Sequence, residues 1–250
     1  MRRWLLPLLA ILVLLAIWEL YVLASGVSSL VLPSPIDVIE ALWNDRGTLW
    51  HNLKPTALEV ILGILVGAAV ALALTATMHF SQLMRDALYP LLVASQTIPI
   101  PIVATLLIIW LGFGLVPKLL IVALVAFFPI VVATLTALAA VDADLIKLMR
   151  TFDAGRWQTF RLIELPSALP GVFAGAKIGA VFAVLAAVLS EINGSSAGLG
   201  YLLNVTIENL EMSEAFASVL VLAALAILLF ALLTLAERRA LPWAHRTARD

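Results

Sequence analysis

Cysteine is absent from the 250 residues of this chain. The absence excludes disulfide bonds, thiolate nucleophiles, iron–sulfur clusters and cysteine-ligated zinc sites. Charged residues are also scarce, at 12% of the chain, whereas soluble domains carry about 25%. The histidines His51, His79 and His245 are far apart in the sequence and form no ligand pair at helical spacing. The chain therefore has too little polar surface to cover a soluble globule, and no metal site is expected.

Apolar residues are abundant instead, at 63% of the chain, with a mean hydropathy of +1.10. A helix crosses the hydrocarbon of a bilayer in about 20 apolar residues. These runs predict an all-α polytopic membrane protein with six transmembrane helices in a single domain over residues 1–250. The third run is interrupted by Pro99 and Pro101. The six runs are residues 4–24, 58–78, 88–111, 116–138, 171–192 and 215–236.

The cations are distributed unevenly between the segments that separate the runs. The segments on one predicted side of the membrane hold only Arg46 and Lys54, while Lys118 and Lys177 lie inside the apolar runs. Positive residues accumulate in cytoplasmic loops, so the other set is predicted to be cytoplasmic, together with both termini. That set holds the remaining eleven of the 15 cations, which are Arg2, Arg3, Arg85, Lys147, Arg150, Arg156, Arg161, Arg238, Arg239, Arg246 and Arg249.

The polar segment from residue 25 to 57 is predicted to be external and to contain a short helix. Ser34 is a favourable N-cap, Pro35 suits the first helical position, and Asp37 completes a capping box. Apolar residues from 36 to 43 recur at helical spacing. We expect an amphipathic helix at the outer interface of the membrane. A spacer without a functional role is the alternative.

The segment 139–170, predicted to be cytoplasmic, carries a strong pattern. An apolar stripe from Leu145 to Phe152 predicts one helix, and a second short helix through Trp157 is expected to be closed by Pro166 and Pro170. Simple connections between helices have about 2–8 residues, so a segment of this length with cations and aromatic residues needs another explanation. Such a surface is typical of a docking site for a partner. A helical hairpin packed on its own membrane domain is the alternative.

The external segment 193–214 contains no cation and is rich in glycine from Gly194 to Gly200. Glycine backbone can approach a ligand or a neighbouring helix closely. No strand precedes these glycines and no Lys-Ser/Thr pair follows them, which excludes a phosphate-binding loop. A re-entrant turn or a plain linker is therefore expected.

The segment 139–171 resembles the cytoplasmic signature of permease subunits of bacterial ABC importers. In that signature a Glu-Ala-Ala triplet is followed by three residues, a glycine, nine residues and Ile-x-Leu-Pro. Here Lys147-Leu148-Met149 stand at the triplet and Asp153 at the glycine. Aspartate adopts left-handed backbone more easily than most residues, which allows a turn at this position. The last part of the signature is present as Ile163-Glu164-Leu165-Pro166.

Five segments are similar to one branch of that family, which serves nitrate, sulfonates, taurine and pyrimidine or riboflavin-type vitamin precursors. The similarity covers about residues 30 to 240, and the segments occur in the order found in the branch. They are Leu32-Pro33-Ser34-Pro35, Ser95-Gln96-Thr97-Ile98-Pro99, Trp110-Leu111-Gly112-Phe113-Gly114, Gly155-Arg156-Trp157-Gln158-Thr159-Phe160 and Gly198-Leu199-Gly200-Tyr201.

The resemblance implies the type I ABC importer permease fold, with a cytoplasmic coupling helix and an alternating-access pathway in a bacterial plasma membrane. It also implies two permease copies, two copies of a separate ABC ATPase and a solute-binding protein that is periplasmic or lipid-anchored. ATP and Mg²⁺ would be bound by the ATPase, because this chain lacks the Gly-x-x-x-x-Gly-Lys-Ser/Thr sequence. No cofactor is expected on this chain, and the chain is not expected to be an enzyme.

By the same resemblance, the short helix around residues 153–160 is the coupling helix that docks on the ATPase. Trp157 and Phe160 are the expected anchors, since aromatic residues and arginine dominate interface hot spots. The residues assigned to coupling are Arg150, Asp153, Ala154, Gly155, Arg156, Trp157, Phe160, Leu165 and Pro166.

The candidates for the lining of the pathway lie mostly beside the prolines of the third run. Each proline removes a backbone donor, so nearby carbonyls need partners inside protein or in a wet cavity. A packed kink is the alternative. Glu191 lies near the outer end of the fifth run, where a water-exposed carboxylate is also expected, and Lys177 can extend its amine to the cytoplasmic surface. The pathway candidates are Ser95, Gln96, Thr97, Pro99, Pro101 and Glu191.

Two other classes of protein fit the sequence less well. A secondary active transporter, which works without an ATPase, often contains an inverted repeat of broken helices, and no such repeat is evident. An intramembrane enzyme needs paired carboxylates, a Ser/His arrangement or a metal cluster, and the six runs contain none of these. The sequence defines the transported solute less well than the protein class, because selectivity in this branch resides largely in the solute-binding protein. Similarity in the third and fourth runs favours a pyrimidine or flavin-type vitamin precursor.

Overall fold

The computed structural model describes residues 2–244, with side chains from residue 5 onward. Arg246 and Arg249, two of the cations behind the predicted orientation, lie outside these residues. Within residues 2–244 the chain forms helices and no strand, which confirms the all-α class. The helices are α1 (Arg2–Ser25), α2 (Pro35–Asn44), α3 (Arg46–Phe80), α4 (Gln82–Ser95), α5 (Ile100–Leu111), α6 (Leu115–Ala139), α7 (Ala143–Thr151), α8 (Arg156–Thr159), α9 (Leu165–Gly194), α10 (Leu199–Glu208) and α11 (Met212–Ala240).

Five stretches of the described chain are long and apolar enough to cross a membrane, and they contain α1, α3, α6, α9 and α11. A sixth candidate is the pair α4 and α5. The 35 residues of α3 extend about 50 Å at 1.5 Å per residue, well beyond the roughly 30 Å hydrocarbon core of a bilayer. The N-terminal part of α3 therefore carries polar residues outside the predicted run.

The third predicted run is divided between two helices. α4 and α5 meet at an angle of 97°, so residues 88–111 do not form a continuous transmembrane helix. Pro99 is the N-cap of α5, with extended backbone (ψ 125°). The residue before a proline is disfavoured in the helical region, and the proline itself offers no N–H to continue α4.

The two prolines expected to close the second cytoplasmic helix do not do so. α8 continues through a π-helical turn (Phe160–Glu164) directly into α9, giving one helical stretch from Arg156 to Gly194. Pro166 follows directly after the π-helical turn, and such turns interrupt the regular hydrogen-bond pattern of an α-helix. Pro170 lies inside α9. The expectation from these prolines was therefore wrong.

α6 and α9 form the centre of the bundle, and α3 packs against both. Small residues allow membrane helices to approach closely. Gly179 of α9 shows this directly, because a Cβ there would lie 2.8 Å from the carbonyl oxygen of Ala126 in α6. Large apolar side chains on the outer helices, such as Ile109 of α5 and Ile227 of α11, are exposed, as expected for surfaces that face lipid.

The short helix predicted after Ser34 is confirmed as α2. The Ser34 hydroxyl accepts a hydrogen bond from the Asp37 N–H at 3.2 Å, and the Asp37 carboxylate accepts one from the Ser34 N–H at 3.0 Å. Pro35 occupies the first turn. Val38 is buried against the bundle, whereas Ile39 is exposed. α2 therefore packs on the bundle with one side and leaves apolar side chains such as Ile39 exposed on another.

Of the two structures expected for segment 193–214, a re-entrant turn or a plain linker, the plain linker is wrong. The segment contains α10, which packs on α9 and α11, and Leu199 at its start is fully buried. The glycines allow this arrangement. Gly198 has φ +121°, a conformation that side chains with a Cβ rarely adopt.

Candidate coupling surface, pathway and buried polar network

The turn between α7 and α8 is built around Asp153, at the position of the family glycine. Asp153 has φ 53°, in the left-handed region. Its N–H donates to the Arg150 carbonyl at 3.1 Å, and the Ala154 N–H donates to the Met149 carbonyl at 3.1 Å. This pair of hydrogen bonds is a Schellman motif, which normally has glycine at the left-handed position. The turn expected from the aspartate is confirmed.

α8 presents a tryptophan to its surroundings. Trp157 is 61% exposed, and Phe152 and Leu148 of the α7 region are exposed beside it. Gln158 holds the start of α8, because its side-chain oxygen accepts the Gly155 N–H at 3.0 Å. The α7–α8 region therefore presents an apolar surface flanked by exposed arginine side chains, including Arg150 and Arg161.

Phe160 cannot serve as an anchor for a partner, because it is only 7% exposed. Its ring lies 4.9 Å from the Phe80 ring and 5.2 Å from the His79 ring at the end of α3, and 5.6 Å from the Trp157 ring. Leu165 packs against this cluster. Phe160 thus attaches α8 to its own membrane domain. Of the two residues expected to anchor a partner, Trp157 is the exposed one.

Polar contacts reinforce the same junction. His79 Nε2 and Glu164 Oε2 are 2.7 Å apart. Arg156 donates to the His79 carbonyl at 3.2 Å, and its guanidinium lies 5.4 Å from the centre of the Phe80 ring. A cavity of about 430 Å³ lies between these groups and α7, with Arg150 on its wall. The junction ties the end of α3 to the start of the α8–α9 stretch.

The polar residues at the break between α4 and α5 lie at the surface of a small cavity of about 180 Å³. Ser95, Gln96 and Pro99 line it, opposite Leu124 of α6. Ser95 donates to the Leu92 carbonyl at 2.7 Å and accepts from Gln96 at 3.2 Å. The break thus exposes hydroxyl and amide groups and no charge.

The other two candidates at this break are exposed beside the cavity. Thr97 donates to the Ala94 carbonyl at 2.8 Å. Pro101 lies in the first turn of α5, and its carbonyl accepts from Thr105 at 3.0 Å. Five of the six pathway candidates are therefore grouped at one bend.

Glu191 lies apart from that bend, in a buried polar network. Its carboxylate is fully buried, so the expectation of a water-exposed group is wrong. Oε1 accepts from the Thr56 hydroxyl and Oε2 from the Gly200 N–H, both at 2.6 Å. The contacts join α9 to α3 and to α10.

An ion pair between α3 and α6 completes the network. The Lys118 ammonium lies 2.7 Å from Glu59 Oε1 and donates to the Ser195 hydroxyl at 2.7 Å. Both charged residues are buried. Sequence analysis placed Lys118 inside an apolar run but identified no partner for it, and it did not consider Glu59. The signal was present, because a charge inside an apolar span is expected to pair with one of opposite sign.

Lys177 is paired as well. Its ammonium lies 2.5 Å from Glu237 Oε2 of α11, instead of extending freely to the membrane surface as expected. The partner lies 60 positions later in the sequence, which is why local spacing gave no indication of it.

Residues 59–243 match the family described as the binding-protein-dependent transport system inner membrane component. The chain belongs to this family. It is therefore a multi-pass permease subunit of an ABC importer, and ATP hydrolysis is the task of a separate ATPase. The family also works with a solute-binding protein. The family match confirms the resemblance inferred from the signature motifs.

Two relatives and one solved structure define the similarity more closely. The riboflavin transport system permease protein RibX of Chloroflexus aurantiacus is 34% identical, over 93% of this chain and 88% of its own. The putative aliphatic sulfonates transport permease protein SsuC of Bacillus subtilis is 32% identical, over 96% of this chain and 88% of its own. An inward-facing structure of the MetNI methionine ABC transporter matches 82% of this chain and 97% of its own, with a TM-score of 0.58 and 22% identity. The last match confirms the type I importer permease fold.

Proposed function

We propose that this permease imports a small solute past the bend between α4 and α5, and that the α7–α8 region couples this movement to an ABC ATPase. The assembly would contain two permeases and two ATPases, with both termini of the permease in the cytoplasm. The observation that carries the proposal is the exposed Trp157 on a helix that is fixed to the end of α3 through Phe160. A surface that is exposed and also rigidly attached can transmit force from a partner to the membrane helices.

The position of the cations supports this orientation. Arg150, Arg156 and Arg161 belong to the same end of the bundle as Trp157, and arginine-rich loops remain cytoplasmic. The opposite end contains α2, α10 and the start of α3. That end would face the solute-binding protein.

For the solute, we favour an uncharged heteroaromatic compound such as a pyrimidine or flavin-type vitamin precursor over a sulfonate, taurine or nitrate. The polar groups at the bend are hydroxyls and an amide. Lys118 and Lys177, two cations within the spans, are each paired with a carboxylate and are not available to an anion. The 34% identity to RibX is consistent with this preference.

The assembly is tested by purification in mild detergent through a tag placed after Asp250. We expect an ABC ATPase to accompany the 26.9 kDa permease, with a native mass that fits two copies of each. A homo-oligomer that moves solute without ATP would contradict the proposal and indicate a secondary transporter. The solute-binding protein of the system is then titrated with riboflavin, with taurine as the competing sulfonate candidate.

The coupling surface is tested by the double variant Arg156→Ala with Trp157→Ala. We expect uptake to fall at least about tenfold, because loss of an interface hot spot typically costs 2 kcal/mol or more. Trp243→Ala is the matched control, since Trp243 is an exposed tryptophan that follows α11, outside the α7–α8 region. Unchanged uptake and unchanged substrate-stimulated ATP hydrolysis in the double variant would exclude this assignment.

A further inference from the structure

Three N–H groups at the N-terminus of α10 are held by side chains of other elements. The first N–H groups of any helix lack partners within that helix. Here the Gly198 N–H donates to Asn52 at 3.0 Å, the Leu199 N–H to Thr56 at 2.8 Å, and the Gly200 N–H to Glu191 at 2.6 Å. Asn52 and Thr56 belong to α3, and Glu191 belongs to α9. α10 is therefore anchored to two helices of the bundle.

The anchor is closely fitted and buried. Glu191 and Thr56 are fully buried and Asn52 nearly so. A Cβ on Gly198 would overlap the Glu191 carboxylate, and a Cβ on Gly200 would lie 2.7 Å from the Val188 carbonyl oxygen. Glycine at these two positions lets the helix start sit directly on Glu191.

The ion pair extends the anchor to α6. Lys118 pairs with Glu59 of α3 and donates to Ser195, and the Ser195 hydroxyl in turn donates to the Ala197 carbonyl. Residues 195–200 are thus connected to α3, α6 and α9 at once. The far end of α10, in contrast, is exposed at Ile207 and Leu210. A helix fixed at one end and exposed at the other can carry a displacement from its tip into the bundle.

We propose that Glu191 is a positioning residue that locks α10 to α3 and α9, so that docking of the solute-binding protein on α10 reaches the helices of the pathway. The proposal rests on the proposed function, since it needs α10 on the external side of an importer. Glu191 itself would bind no solute. Coupling between two sites is reciprocal, so closure of the ATPase with ATP must also change the environment of α10.

The test is hydrogen–deuterium exchange of the intact complex in nanodiscs, measured on peptides from residues 195–208 with and without ATP plus vanadate. The wild-type complex should show protection of this segment and a change in exchange on ATP closure. In Glu191→Ala the protection should fall about tenfold, because a buried donor left unpaired costs about 1–3 kcal/mol, and the response to ATP should disappear.

Two further variants separate positioning from general damage. Glu191→Gln retains an acceptor for the Gly200 N–H and should restore most of the protection and the response. Ser190→Ala removes a buried hydroxyl that bonds only within α9, to the Ala187 carbonyl, and should behave as wild type. The amount of co-purified ATPase and its basal hydrolysis should be the same in all four proteins.

Different outcomes refute the positioning role of Glu191 and the proposed function of the chain. An unchanged response to ATP in Glu191→Ala, or no response in the wild type, would overturn the positioning role. Parallel loss of basal hydrolysis and ATPase association in Glu191→Ala would overturn it too, because the residue would then only maintain the fold. Failure of the wild-type chain to bind any ABC ATPase would refute the proposed function instead.

Discussion

At the scale of single residues, Lys118 is the side chain whose loss should be most costly. Its ammonium neutralises the buried Glu59 carboxylate, so Lys118→Met leaves an uncompensated buried charge. Removal of one partner of a buried ion pair typically costs about 3–5 kcal/mol. We expect a matching drop in the unfolding free energy of the detergent-solubilised permease, measured through the fluorescence of its seven tryptophans.

The second partner and an exposed pair provide the controls for this prediction. Combining Glu59→Gln with Lys118→Met removes both charges and should restore most of the lost stability. Lys147 forms a solvent-exposed pair with Asp144, so Lys147→Ala should cost less than about 1 kcal/mol. Equal losses for Lys118→Met and Lys147→Ala would show that the buried pair has no special role.

At the scale of elements, the junction between α3 and α8 depends on Phe80. Its ring lies 4.9 Å from Phe160 and 5.9 Å from Trp157. Aromatic pairs contribute about 0.5–1.5 kcal/mol each, so Phe80→Ala should loosen α8 without unfolding the bundle. We expect the ATPase to remain bound and active while solute uptake per ATP hydrolysed declines several-fold in proteoliposomes.

Phe230→Ala is the control for the junction, because Phe230 is a half-exposed aromatic residue of α11, away from α8. It should leave the ratio of uptake to hydrolysis unchanged. If Phe80→Ala also left that ratio unchanged, transmission through the end of α3 would be refuted.

At the scale of the whole molecule, the prediction concerns orientation. The chain contains no cysteine, so single cysteines can be introduced without a background signal. Ile207→Cys on α10 should react with a membrane-impermeant maleimide in intact cells. Gln158→Cys on α8 should react only after permeabilisation, because α8 belongs to the arginine-rich end. The reverse labelling pattern would place the termini outside and contradict the proposed docking of both partners.

The parts of the site that the sequence predicted depend on neighbouring residues. The capping box of α2 is set by Ser34 and Asp37, three positions apart, and was recognised from that spacing. The left-handed turn at Asp153 depends on the end of one short helix. The apolar runs that form the membrane helices follow from composition over about 20 residues. Family membership came from motifs of the same local kind.

The burial of Phe160 and of Glu191 follows from contacts between distant parts of the chain. Thr56 and Glu191 are 135 positions apart, and Glu59 and Lys118 are 59 apart. Composition and local spacing are enough to bring a helix into the membrane and to start or end it, because those steps depend on hydrophobicity and on hydrogen bonds between near neighbours. They do not determine which polar groups meet inside the bundle. That depends on how α3, α6 and α9 pack, since a buried charge or a free N–H group must find its partner on another helix.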